Sequence, residues 1–148
     1  MTLTLIRCAA AFTLSLSTLA AMAQMTPVGL WKTIDDDGKT EKSLVRITDN
    51  GGVLSGTIEK LFDPAKRDNI CDKCTDDRKD KPVLGLTIIR NVRQDANDKT
   101  VWVGGEILDP NNGKTYKTRL KPVEGGKTME MRGYIAFMYR TQVWQRVE

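Results

Sequence analysis

The chain has 148 residues, with 23 Lys+Arg against 19 Asp+Glu, no histidine, and a formal net charge of +4. With 40% hydrophobic and 28% charged residues, it has ordinary globular composition at a length suited to one domain. The missing histidine excludes Ser–His and Cys–His nucleophile pairs and every histidine metal ligand, and scattered rather than clustered basic residues argue against a nucleic-acid partner.

The N-terminus reads as an export signal. Arg7 precedes an apolar, small-residue-rich run from Cys8 to Ala20, and Ala21-Met22-Ala23 has the A-x-A form of a cleavage site. That run is shorter than the roughly 20 residues a spanning helix needs, so residues 1–23 are expected to be removed. Residues 24–148 are expected to form a single mature domain in the periplasm of a Gram-negative bacterium, or outside the cell. No further long apolar segment follows Gln24, which argues against a membrane-spanning protein. Cleavage also removes Cys8, leaving Cys71 and Cys74.

From Gln24 onward, turn signals recur at short intervals: Asp36-Asp37-Gly38, Asn50-Gly51-Gly52, Asp95-Ala96-Asn97-Asp98, Asp109-Pro110-Asn111-Asn112-Gly113 and Glu124-Gly125-Gly126. Runs with period-two alternation lie between them. Leu84, Leu86 and Ile88 share one face, as do Tyr116, Thr118 and Leu120, and Met129 with Met131. This reading predicts about eight strands, over roughly 28–35, 42–49, 53–61, 83–91, 99–108, 114–121, 127–134 and 137–147. Short connections favour an antiparallel meander. Closing it into an up-and-down β-barrel removes two exposed edges, so an all-β barrel is favoured over a two-sheet sandwich.

Residues 62–82 break the strand rhythm, are dense in Lys, Arg and Asp, and hold both mature cysteines; a short helix is expected around 64–75. In an oxidising compartment Cys71 and Cys74 should form a disulfide that pins this loop. Two other readings of Cys71-Asp72-Lys73-Cys74 remain open. A redox dithiol would want a strand–helix setting that is missing here. Zinc would have to recruit Asp76 or Asp77 in place of histidine.

Asp35-Asp36-Asp37-Gly38 lacks the spaced acidic pattern of a calcium loop and reads as a polar hairpin turn. No motif calls for a cofactor or a metal. Gly29-Leu30-Trp31 opens the first strand; Trp31 is either an ordinary core aromatic or the platform on which a late arginine, Arg146 or its competitor Arg140, lies to close the barrel. Such a contact is worth ~0.5–2 kcal/mol. The inward set Leu84, Leu86, Ile88, Tyr116, Leu120, Met129, Met131 and Trp144 either lines a ligand cavity or fills a solid core.

These residues also carry a resemblance. Gly29-x-Trp31, Cys71-x-x-Cys74, Lys81-Pro82-Val83-Leu84-Gly85-Leu86, Trp102-x-Gly104-Gly105, Ile107-Leu108-Asp109-Pro110-x-x-Gly113-Lys114-x-Tyr116, Arg132-Gly133-Tyr134 and Arg140-Thr141-Gln142-x-Trp144-x-Arg146 resemble, in order, the small exported bacterial proteins of domain-of-unknown-function family 2147. The resemblance implies a lipocalin-like barrel and supplies no established activity. It departs at Ile135-Ala136-Phe137-Met138-Tyr139, where more glycine is expected.

The leading expectation is therefore an exported lipocalin-like protein that binds a small apolar ligand inside the barrel, with residues 62–82 at its mouth. The alternative is a cell-envelope interaction module with a solid core and an unknown protein partner. An enzyme ranks third, because it would need a pocket of titratable groups with strongly shifted pKa values.

Overall fold

Eight strands follow one another in chain order: β1 (Gly29–Ile34), β2 (Glu41–Asn50), β3 (Val53–Leu61), β4 (Thr87–Gln94), β5 (Trp102–Asp109), β6 (Lys114–Val123), β7 (Thr128–Ile135) and β8 (Met138–Arg146). The computed structural model describes residues 25–148; the expected export signal, with Arg7, Cys8 and Ala21-Met22-Ala23, lies outside the described residues. Every strand pairs antiparallel with its chain neighbours, and β1 pairs with β8 to close one barrel. Closure leaves no free sheet edge and excludes the sandwich.

Alternation sets which side of each strand faces in. Ser43, Val45 and Ile47 are buried on β2, Thr118 and Leu120 on β6, and Met129 and Met131 on β7, while the residues between them face solvent. The β2–β3 turn has Gly51 and Gly52 at φ 64° and 88°, the backbone that two-residue hairpins require. The barrel seam is short: β1 and β8 pair only at Trp31↔Arg146 and Lys32↔Gln145.

Two expectations need correction. Strand β4 begins at Thr87 rather than near 83. Leu84 and Gly85 instead form a turn with Gly85 at φ 85°, and its amide donates to the Ile58 carbonyl (2.8 Å). The helix expected over 64–75 is a single 3-10 turn, Pro64–Lys66, capped by the Asp63 carboxylate. Beyond it the chain folds back on itself, with Cys71 N–H donating to Lys81 (2.8 Å) and Val83 N–H to Asn69 (2.9 Å). Those pairings compete with helical hydrogen bonds for the same amides.

The interior has two halves. At the end where β1 begins and β8 finishes, and where the β2–β3, β4–β5 and β6–β7 connections lie, Trp31, Val45, Ile47, Leu54, Val92, Leu120 and Met129 pack as a solid floor. The other end, ringed by the β1–β2, β3–β4, β5–β6 and β7–β8 connections, is open.

Candidate functional site

The open half holds a cavity of about 610 Å³. Its apolar wall includes Ile58 of β3, Ile88 of β4, Ile107 of β5, Met131 of β7 and Trp144 of β8; Thr33, Ser43, Tyr116 and Gln142 supply polar atoms. Gly133 also lines it. A Cβ there would sit 3.5 Å from the Tyr116 Cβ, so the missing side chain leaves room inside the barrel.

The expected inward residues divide into three groups. Ile88, Tyr116, Met131 and Trp144 line the cavity. Leu120 and Met129, both at 0% exposure, belong to the floor beneath it, and Leu86 is buried against the core without reaching the cavity wall. Leu84 is 41% exposed and is not an interior residue. The turn at Leu84-Gly85 breaks the alternation that would have carried it inward.

Most polar atoms of the cavity are already partnered. The hydroxyls of Thr33 and Ser43 lie 2.8 Å apart. Trp144 Nε1 donates to Gln142 Oε1 (3.1 Å), and Gln142 Nε2 donates to Asp36 Oδ1 (2.9 Å). Arg140 pairs with Asp36 Oδ2 (2.7 Å). Side chains thus bridge the β1–β8 seam at the mouth, where backbone pairing stops. Tyr116 differs: its hydroxyl accepts from Asn112 Nδ2 (2.9 Å), which leaves its own proton for a further acceptor. Asp35, at the rim, is held below the usual carboxylate range, first by the Asp36 backbone N–H and then by Lys42, so it is a fixed negative charge rather than a proton donor.

The floor is closed by Gly29, Trp31 and Arg146. The Arg146 guanidinium stacks 4.2 Å from the Trp31 ring centroid and donates to the backbone carbonyls of Thr26, Val28 and Gly126. Trp31 Nε1 donates to the Pro27 carbonyl (2.6 Å). Arg140, the competing candidate, sits at the opposite end with its side chain 74% exposed, because the β8 register places it near the mouth.

The long connection is pinned at two places. Cys71 and Cys74 are joined by a disulfide and buried against the β5–β6 turn, where Gly113 lies so close to Lys73 that a Cβ would collide with its backbone. Arg78, only 1% exposed, donates to Asp76, to Glu106 of β5 (2.9 Å) and to the Thr87 carbonyl (3.1 Å). Its guanidinium pulls the Asp76 carboxyl down to about 2. Arg90 and Asp77 add a two-pronged ion pair (2.7 and 2.9 Å). Sequence reasoning missed Arg78, since one more cation in a charged loop carries no signal of its burial. Thr33, Ser43 and Gly133 were legible in principle, two residues from the inward-facing Trp31, Val45 and Met131.

Asp35-Asp36-Asp37-Gly38 forms the β1–β2 turn, where the Asp37 carboxylate accepts from the backbone of Lys39 and Thr40 (2.8 Å each). Among the described residues, no group of three or more Cys, Asp or Glu is placed to hold a metal ion. No helix among them is long and apolar enough to cross a membrane.

The fold has a solved counterpart, described as "Protein HP1028 from the human pathogen Helicobacter pylori belongs to the lipocalin family". The likeness has a TM-score of 0.69 at 17% identity and covers 82% of each chain, which establishes a lipocalin-like fold and nothing about ligand. No curated protein matches this chain. The family model described as "Uncharacterized protein conserved in bacteria (DUF2147)" matches residues 29–146, from the Gly29 that opens β1 to the Arg146 that closes the floor, and the chain belongs to that family.

Proposed function

We propose that this protein is an exported carrier that holds one small, mainly apolar ligand in the mouth half of the barrel. The observation that carries this reading is the cavity of about 610 Å³, within the ~300–1,000 Å³ typical of small-molecule sites. Its lining combines aliphatic and aromatic side chains with a comparable number of polar and charged ones, and Met131 adapts to irregular shapes. The Tyr116 proton favours a ligand with one hydrogen-bond acceptor, such as a carbonyl or ether oxygen. The rim cations Lys42 and Arg140 already face Asp35 and Asp36, so an anionic head group is not singled out.

The solid-core interaction module fits less well, because only the floor is filled. Enzymatic chemistry lacks support too: the shifted carboxylate at the rim, Asp35, is lowered rather than raised, unlike a proton donor poised near neutral pH. Export to the periplasm or beyond is part of the proposal and accounts for a disulfide in the mature chain.

Native mass spectrometry of protein exported to its own periplasm and purified without detergent tests the reading. An added mass lost on denaturation is the expected result, and its fragmentation identifies the ligand class. A clean apo mass, together with no displaceable binding of an apolar fluorescent probe, would overturn it.

A further inference from the structure

We propose that the β7–β8 hairpin is a membrane-docking tip that seats the barrel mouth on an anionic lipid surface. This goes beyond the carrier reading and would hold even with an empty cavity.

The tip is unusual within its own barrel. The β1–β2, β2–β3 and β5–β6 turns are built from Asp, Asn and Gly, whereas β7 and β8 meet at Ile135-Ala136-Phe137-Met138-Tyr139. Ile135 pairs with Met138, leaving Ala136 and Phe137 as a two-residue loop with Ala136 at φ 50°. Phe137 is 92% exposed, Met138 65%, Tyr139 60% and Ile135 53%. A protruding two-residue loop bare on every side suits a fluid apolar phase better than the flat, closely packed face of a protein interface.

Charge on the adjoining strands selects the kind of surface. On the outer face of β6 and β7, Lys117 pairs with Tyr134 and Arg119 with Arg132, so two guanidinium-bearing residues sit directly opposite each other. Like charges so placed destabilise a sheet. Among the described residues, none of Lys117, Arg119 and Arg132 has a carboxylate within ion-pair distance. Glu130, one rung further toward the floor, is opposite Lys121. Arg132 is held in place by Thr141 (3.1 Å) and by the Tyr139 ring, 4.2 Å from its guanidinium. Within the molecule, Glu106 lies opposite Lys117 but is engaged by Arg78, and Asp98 interacts electrostatically with Arg119; neither forms an ion pair with the row, whose excess positive charge suits an external anionic surface.

The order along the strand matches a bilayer interface. Apolar residues occupy the tip, and Tyr134 and Tyr139, with ring centroids 5.8 Å apart, form the next level, where amphipathic rings sit at head-group depth. Arg119 and Arg132 lie two residues behind Tyr134, about 7 Å along the strand, level with phosphates once the tip enters the acyl boundary by ~5–10 Å. Ile135, Met138 and Tyr139 also border the cavity mouth, so the apolar track runs from the tip into the barrel.

The test is co-sedimentation of residues 24–148 with phosphatidylglycerol vesicles and, separately, phosphatidylcholine vesicles. The expected result is association with the anionic vesicles that weakens in 0.5 M salt. It should fall at least about tenfold in Phe137→Ser, the loss of one buried aromatic, and roughly 30-fold in Lys117→Gln/Arg119→Gln, the effect of two charges at such a surface. Phe137, Lys117 and Arg119 do not line the cavity, so probe binding in vesicle-free buffer should match wild type and tests the carrier reading independently. No association with anionic vesicles, or variants that associate like wild type, would overturn the proposal. So would self-association of vesicle-free protein abolished by Phe137→Ser, which would assign the tip to a second copy.

Discussion

The guanidinium of Arg146, near the end of the last strand, stacks 4.2 Å from the ring of Trp31 in the first. It also donates to Thr26, Val28 and Gly126 carbonyls. One side chain thus joins the segment before β1, the β6–β7 turn and β8 where the barrel seam has only two backbone pairs. Burial lowers its pKa somewhat, and it remains cationic.

Replacing Arg146 by Ala should cost about 2–4 kcal/mol, since charge-assisted hydrogen bonds contribute ~1.5–3 kcal/mol and their carbonyl partners would be stranded. Arg146→Lys should recover less than half, because an ammonium cannot both stack flat and reach separate carbonyls. Urea denaturation measures both; a loss below ~0.5 kcal/mol for the Ala variant would refute this account of the floor.

Gly29→Ala should destabilise the same joint. Gly29 sits at φ 137°, and a Cβ there would lie 2.5 Å from both Arg146 Nη1 and the Glu148 carbonyl oxygen. Backbone strain of this kind costs ~1–3 kcal/mol before the collision is counted. A melting temperature equal to wild type would contradict it.

The cavity makes separable predictions. Gly133→Leu should place a side chain in the open half, weakening binding of an apolar probe about tenfold or more while leaving the β-sheet spectrum intact. Tyr116→Phe should weaken ligands bearing a carbonyl or ether oxygen about 2–10-fold, the value of one neutral hydrogen bond, and leave a pure hydrocarbon unaffected. Equal losses for both ligand types would remove the Tyr116 hydroxyl from the site.

Acid should release the long connection before the barrel. Hydrogen bonds from Arg78 hold the folded Asp76 carboxyl at about 2, below its ordinary 3.8. The charged form therefore favours the docked loop above the ordinary value, and that contribution disappears as pH falls through the folded value. Amide signals from 70–81 should lose dispersion between about pH 4 and pH 2, and Asp76→Asn should show the same loosening at pH 5. A loop unchanged across that range in both proteins would argue that Arg78 is held by Glu106 and Thr87 alone.

Cys71→Ser/Cys74→Ser should loosen the same segment at a cost of ~1–2 kcal/mol, since the bridge closes a very short ring. Thiol titration of the exported wild type should find no free cysteine. Global unfolding of the double variant would show that the disulfide supports the barrel as well as the loop.

Much of this was legible residue by residue. Alternation around Leu120 and Met131, with Gly-rich turns between runs, specified the strands because side chains on a pleated chain must point alternately in and out. The same rule failed at Leu84, where Pro82 and Gly85 bracket a turn that periodicity alone cannot detect. It also could not distinguish Arg146 from Arg140, since both lie on β8 and only the register separates floor from mouth.

The sequence by itself determined an all-β meander with a clipped loop, because hydrophobic period, turn chemistry and cysteine spacing are local properties of the chain. Tertiary structure decided where the interior is solid and where it is hollow. Trp31, Leu120 and Met129 converge at one end, while Gly133 and the wide ring of loops leave space at the other. It also decided that Arg78 is buried, through partners contributed by β4 and β5. Such outcomes depend on volumes and charges brought together from distant positions, and no single stretch of sequence contains them.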